Sequence, residues 1–228
     1  MAGMPAHERV VALDAEWDTE SNSAGMVFKQ HPVALIQLGY NEPGAGPRAL
    51  LLQVRGKTLP MELLSIFSDT SITFTGRCVG NDIARIGSDF KCRDKIDVAA
   101  RVDFDTIAKE CGVVTSRSST LELLAKKTLG VAMNKGPVRL SKWSAPTLSN
   151  EQVHYAALDV IVALRIHAVL LSLPDLTKRL SAAEATIGRK VAVLPPHGSR
   201  PASCSRANPA APQPSSTSAL TRFTRPTS

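Results

Sequence analysis

Four carboxylates and one phenol stand in this 228-residue sequence where residue type and spacing permit chemistry. Asp14 and Glu16 close an apolar run, residues 9–15 (RVVALDA), and alternation along a strand puts both on one face. Two like charges side by side destabilise a strand end unless a cation sits between them. Hard divalent ions such as Mg2+ or Mn2+ take oxygen ligands of this kind. The plain alternative is a strand that ends here with both carboxylates in water. Asp82 follows Val79-Gly80-Asn81 at a turn entering a helix, where an acid also suits the helix dipole. Tyr155 and Asp159 are four residues apart in a helical pattern, hence on one helix face, among Val153, Ala156, Ala157, Val160 and Ile161. A carboxylate in such surroundings needs a cation or several hydrogen-bond donors. Its plain alternative is a partly exposed Asp in a salt bridge.

The elements that must position these groups read as α/β. Residues 9–15, 33–39 (VALIQLG) and 48–54 (RALLLQV) are three strand candidates in succession. Turn-rich stretches, SNSAG around Ser21 and NEPGAGP from Asn41, separate them, which predicts an antiparallel meander. Pro60 opens a helical stretch, PMELLSIF. Residues 72–75 predict a fourth strand, Gly80 and Asn81 a helix start, and residues 96–98 a fifth strand. Helical patterns follow at 104–111, 120–129 and 150–173, with capping-box spacing at Ser119/Glu122 and Ser149/Gln152. The expected architecture is a mixed sheet flanked by helices.

Taken in chain order, these features resemble one family. The sequence has D-x-E on its opening strand, an Asp 66 residues after Glu16, and Y-x3-D on a late helix ending 77 residues after Asp82. VALDAEWD, VALIQLG, VGNDIARIGSDF, STLELLAKKTLG and LSKWSAPTLSNEQVHYAALDVIVALRIH, the last with Trp143, look like the successive motifs of the DEDDy 3'-5' exonucleases of the DnaQ-like group. Within it they are most similar to the Werner-type exonuclease domain, with ribonuclease D as a relative. The resemblance covers roughly residues 8–175 and implies a ribonuclease H-like fold, a meander with added parallel strands. It also implies catalytic residues Asp14, Glu16, Asp82, Tyr155 and Asp159. Asp14 would bridge two Mg2+ or Mn2+ ions, Glu16 and Asp159 would hold the one that activates water, and Asp82 the other. Tyr155, with an ordinary phenol pKa near 10, would orient that water. The implied substrate is nucleic acid with a free 3' end, DNA slightly ahead of RNA, and the implied product a nucleoside 5'-monophosphate. Two further readings stay open: an inactive nucleic-acid-binding or scaffold module on this fold, and an unrelated α/β protein.

Substrate contacts are less defined. Trp17 alternates to the face opposite Glu16 and reads as core, with its backbone amide near a terminal nucleotide. Leu38 suits either core or a wedge under a base. Lys126, Lys127, Lys135, Arg139 and Lys142 suit either phosphates or a solvated face. His154 and His167 read as structural. Ten aromatic side chains are too few for an extended base-stacking platform.

Composition bounds the rest. The net charge is +7 and the pI about 9.5, which suits a polyanionic partner. Four of the excess charges, Arg200, Arg206, Arg222 and Arg225, lie in residues 195–228, which hold seven Pro and seven Ser but no Asp or Glu. The expected division is an exonuclease domain at 1–180 and a disordered Pro/Ser-rich basic tail at 181–228. Four scattered cysteines without a C-x-x-C pair exclude a disulfide scaffold or Cys-type zinc site. No unbroken apolar run of eighteen residues occurs, and MAGMPAHERV lacks the pattern of a secretory signal, so no membrane partner is expected. The compartment expected is nuclear or cytoplasmic.

Overall fold

The computed structural model describes residues 9–96, 100–116, 119–133 and 136–177. The chain divides into two units, Met1–Leu173 and Pro174–Ser228. Of the second, residues 174–177 are described, and the expected tail lies outside the described residues.

Alternating apolar residues build the meander first. Strand β1 (Val10–Ser21) pairs antiparallel with β2 (Val27–Glu42), and β2 with β3 (Gly46–Gln53). The first hairpin extends well past the apolar cores at 9–15 and 33–39. Its turn is made by Asn22, whose Oδ1 accepts the Ala24 and Met26 N–H groups at 3.1 and 2.9 Å, and by Gly25 at φ +77°. After α1 (Met61–Ser68), β4 (Thr73–Gly76) joins β1 in parallel; after α2 (Val79–Asp89), β5 (Ala100–Asp103) joins β4 in parallel. The sheet order is β3-β2-β1-β4-β5. Helices α3 (Phe104–Glu110), α4 (Leu121–Leu129) and α5 (Asn150–Ser172) complete the unit.

Two expectations are corrected. The fifth strand of the sheet is Ala100–Asp103; of the expected 96–98, Ile96 ends a 3-10 turn at Arg93–Lys95, and residues 97–99 lie outside the described ones. An edge strand reading ARVD needs no continuous apolar run, so it leaves little trace in the sequence. The cap of α4 is Thr120, whose side chain accepts the Leu123 N–H, whereas Ser119 donates to Asp105 Oδ1 at 3.0 Å. The Ser149/Gln152 capping box forms as its spacing predicts.

Helices cover both faces of the sheet. Val11, Leu13, Ala15, Ile36 and Leu38 pack with α1 and α2, where Phe67 stacks on Phe74 at 5.4 Å. On the other face, Ala12 packs with α4 and α5. Here Ala12, Gly39 and Ala49 form one cross-strand row, continued by Thr75. A Cβ on Gly39 would stand 2.7 Å from the Val160 carbonyl oxygen, so α5 lies almost on the strand backbone. By length and composition α5 would also suit a membrane span, but 56% of its most apolar window is buried within the fold, where it serves as the core helix. The Thr75 hydroxyl donates to the Val102 carbonyl and receives the Nδ1–H of buried His167 at 2.8 Å. Burial holds the His167 pKa below its ordinary value, so it stays neutral and structural.

Candidate active site

The packing of α5 decides where Asp159 goes. Gly39 admits the helix at Val160, and His167 pins its second half. Asp159, one residue before Val160 and nearly fully buried, then meets β1 one row beyond Ala12. Carboxylate oxygens of Asp14, Glu16 and Asp159 lie within 4.8 Å of one another. The β1–β4 ladder ends at Ala12–Thr75, so Asp14 lies two residues beyond the pairing. Past the end of β4, Cys78 in the left-handed region (φ 54°) turns the chain into α2. The first turn of α2 carries Asp82, 8% exposed, whose charge is felt by Glu16 and which itself feels Asp14. Asp82 is not one of the three that converge within 4.8 Å.

The electrostatics follow from burial and crowding. Burial, then the charges of Asp14, Asp159 and Asp82, push the Glu16 carboxyl up to about 9, against a smaller opposing effect of Arg139. Burial, then Asp14 and Asp103, push Asp82 up to about 8, opposed by Arg77 and Arg85. Burial raises the Tyr155 phenol far above its ordinary range, and Asp159, Glu16, Asp14 and a hydrogen bond to Asp159 add to this. Tyr155 therefore keeps its proton and donates it to Asp159. Oxygen donors only, gathered closely and repelling one another, fit a hard divalent cation. Such an ion must displace protons held by raised carboxyls. Titrating the protein with Mn2+ at pH 7 in buffers of different ionisation enthalpy is expected to show release of about one to two protons per chain; buffer-independent heats would contradict this.

A loop carries the remaining support. Asp18 Oδ1 accepts the backbone N–H groups of Trp143 and Ser144 at 2.6 and 3.2 Å, tying the segment before α5 to β1. Gln152 Nε2 donates to Ser141 Oγ and the Lys142 carbonyl, and Gln53 Nε2 to the Ala145 carbonyl. Trp143, fully buried, tilts against the Tyr155 ring at 6.0 Å and donates its Nε1–H to the Arg139 carbonyl. Asp18, Gly39 and Gln37, opposite Asp14, carry no motif of reactive residues and were not singled out from sequence; Asp18 at least lies inside VALDAEWD.

The other expected contacts divide. Leu38 is 3% exposed in the α1/α2 core, which decides its two readings for core. Trp17 is half-buried against the same core, with the Arg85 guanidinium 3.9 Å over its ring. Among the described residues of the basic cluster, Arg139 alone bears on Glu16. Lys126 and Lys127 lie in the last turn of α4, where Lys127 donates to the Val113 carbonyl. Lys142 and His154 are exposed, and Lys135 lies outside the described residues.

The model of the 3'-5' exonuclease domain family matches residues 4–173. The chain is similar to human exonuclease 3'-5' domain-containing protein 2, 28% identical over 174 residues, which cover 72% of this chain and 25% of the relative. It is also similar to putative 3'-5' exonuclease R431 of Acanthamoeba polyphaga mimivirus, 27% identical over 158 residues, 66% of this chain and 38% of that one. The chain spans about a quarter of the length of the first of these. Among solved structures it resembles Brucella melitensis NrnC, with a TM-score of 0.56 and 24% identity over 72% of this chain and 73% of that one. It likewise resembles Escherichia coli RNase D, an exoribonuclease involved in structured RNA processing, with a TM-score of 0.56 and 24% identity over 73% of this chain and 40% of that one. These likenesses confirm the ribonuclease H-like architecture. With the family model covering nearly the whole first unit, the chain belongs to the 3'-5' exonuclease family.

Proposed function

We propose that this chain hydrolyses nucleic acid from a free 3' end to nucleoside 5'-monophosphates, with two Mg2+ or Mn2+ ions, and takes DNA ahead of RNA. The observation that carries the reading is the meeting of Asp14, Glu16 and Asp159 within 4.8 Å, from strand and helix 143 to 145 residues apart. Asp14, Glu16 and Asp159 would hold cations at this site, with Asp82 on α2 as a further ligand. Cations held there supply positive charge to the phosphate and the leaving oxygen and make water acidic enough to attack at neutral pH. Tyr155 commits its proton to Asp159 and leaves its oxygen lone pairs to receive a hydrogen from the attacking water. Attack at phosphorus breaks the bond to the 3'-oxygen of the preceding nucleotide and frees the terminal one as its 5'-monophosphate. Arg139, whose charge reaches Glu16, would be available to a substrate phosphate at this site.

The preference for DNA rests on the Werner-type motifs. Structures named for RNase D with RNA U12 and for NrnC with pGG resemble this fold, so RNA belongs in the test. With 5'-labelled single-stranded DNA, recessed duplex DNA, RNA and a tRNA precursor, Mn2+ is expected to give shortening from the 3' end, fastest on DNA. Tight binding with every substrate left intact would identify an inactive binding module instead. Tyr155→Phe is expected to lower kcat at saturating Mn2+ by about 10²-fold through misplaced water, and to weaken Mn2+ binding as well, because the hydrogen bond to Asp159 is lost. An unchanged kcat would remove Tyr155 from the mechanism.

A further inference from the structure

Gln37 is fully buried, and neither its Oε1 nor its Nε2 has a hydrogen-bond partner. Buried amides are rarely left in this state, because desolvation is then uncompensated. Its place in the sheet narrows what the amide is for. Gln37 on β2 is the register partner of Asp14 on β1, and of Leu51 on β3. Directly opposed residues share a face, with Cβ atoms about 4.5–5.5 Å apart. The flanking rows on that face offer Gly39 on one side and Leu35 on the other, and neither has a side-chain acceptor. Val160 of α5 packs over Gly39, and Leu35 belongs to an apolar cluster with Ala156. Across the strand pair, Asp14 is the polar side chain directly opposite the amide, whereas Glu16, in the Leu35 row, lies on the longer diagonal.

We propose that Gln37 is a positioning residue for Asp14: its Nε2–H donates to the Asp14 carboxylate once a divalent ion is held there, fixing the orientation of that ligand. The inference rests on the metal-binding reading above. Partners of this type around a ligand are worth roughly 10–100-fold in metal affinity. A glutamine serves because it is neutral; a lysine here would compete with the cation, and a second carboxylate would add to the crowding around Glu16.

The test is Mn2+ binding, measured from the EPR signal of free Mn2+ at pH 7.5, for the full chain, Gln37→Met and Gln37→Leu, with melting of each in EDTA. Both variants are expected to bind Mn2+ roughly 10–100-fold more weakly. Both are expected to melt in EDTA at the same or a higher temperature, because the two orphaned polar atoms are gone. A purely structural glutamine would move the melting temperature and leave the Mn2+ affinity alone. Unchanged affinity in both variants, or loss of folding in both, overturns the proposal. If the unsubstituted chain itself binds no Mn2+, the metal-binding reading falls first and takes this inference with it.

Discussion

Glu16→Gln is expected to melt roughly 3–8 °C higher than the unsubstituted chain in EDTA at pH 8, and to hydrolyse nucleic acid at least about 10²-fold more slowly in Mn2+. The two effects have one cause. Without a cation, Glu16 is pushed up to about 9 by burial and by Asp14, Asp159 and Asp82. Its folded form thus holds a proton that the unfolded chain gives up near pH 4.5. Stability of the metal-free protein therefore falls as pH rises from about 4.5 toward 9, and the neutral amide does not share that loss. At pH 4 the unsubstituted chain is protonated at this position, so the advantage of the amide vanishes. In Mn2+ the order reverses, because the amide is a poorer ligand than the carboxylate. Melting curves at pH 4 and pH 8, each with EDTA or Mn2+, check the crossing. A Gln variant that melts lower at pH 8 in EDTA would show that the acids are not repelling one another.

Gly39→Ala is expected to lower stability by about 2–3 kcal/mol, at the upper end of overpacking costs, and to weaken both Mn2+ binding and hydrolysis. The added methyl would stand 2.7 Å from the Val160 carbonyl oxygen and 2.9 Å from Val160 Cβ. Neither atom is the far end of a flexible side chain, so the helix backbone itself must move. Val160 follows Asp159 directly, and a helix lifted there carries that carboxylate away from Asp14 and Glu16. A misplacement near 1 Å costs about 10²-fold in a preorganised site. Urea denaturation and Mn2+ titration on the same samples check both halves. Lowered stability with undiminished Mn2+ affinity would mean that α5 shifts along its axis and Asp159 keeps its place.

The meander was legible because its strands are buried and apolar, and the helices because their apolar spacing and caps are local; the Ser149/Gln152 box formed as written. Strand ends were less legible: β1 and β2 run on as a hairpin whose outer part, with Met26 and Phe28 exposed, has no core to impose an apolar pattern. The fifth strand was displaced for a related reason, since its place depends on the ladder with β4.

The candidate acids divide in the same way. That Asp14 and Glu16 share a face, and Tyr155 and Asp159 another, is set by the two-residue period of a strand and the 3.6-residue period of a helix, which the sequence carries by itself. Motif order was enough to single out Asp82. That Asp159 reaches Asp14 was decided only by tertiary packing, through the bare backbone at Gly39, the Thr75–His167 hydrogen bond and the loop that Asp18 ties down. Those residues have no reactive groups in a recognisable pattern. Their effect lies in how closely one helix approaches one sheet, a distance set by side chains that are far apart in the chain.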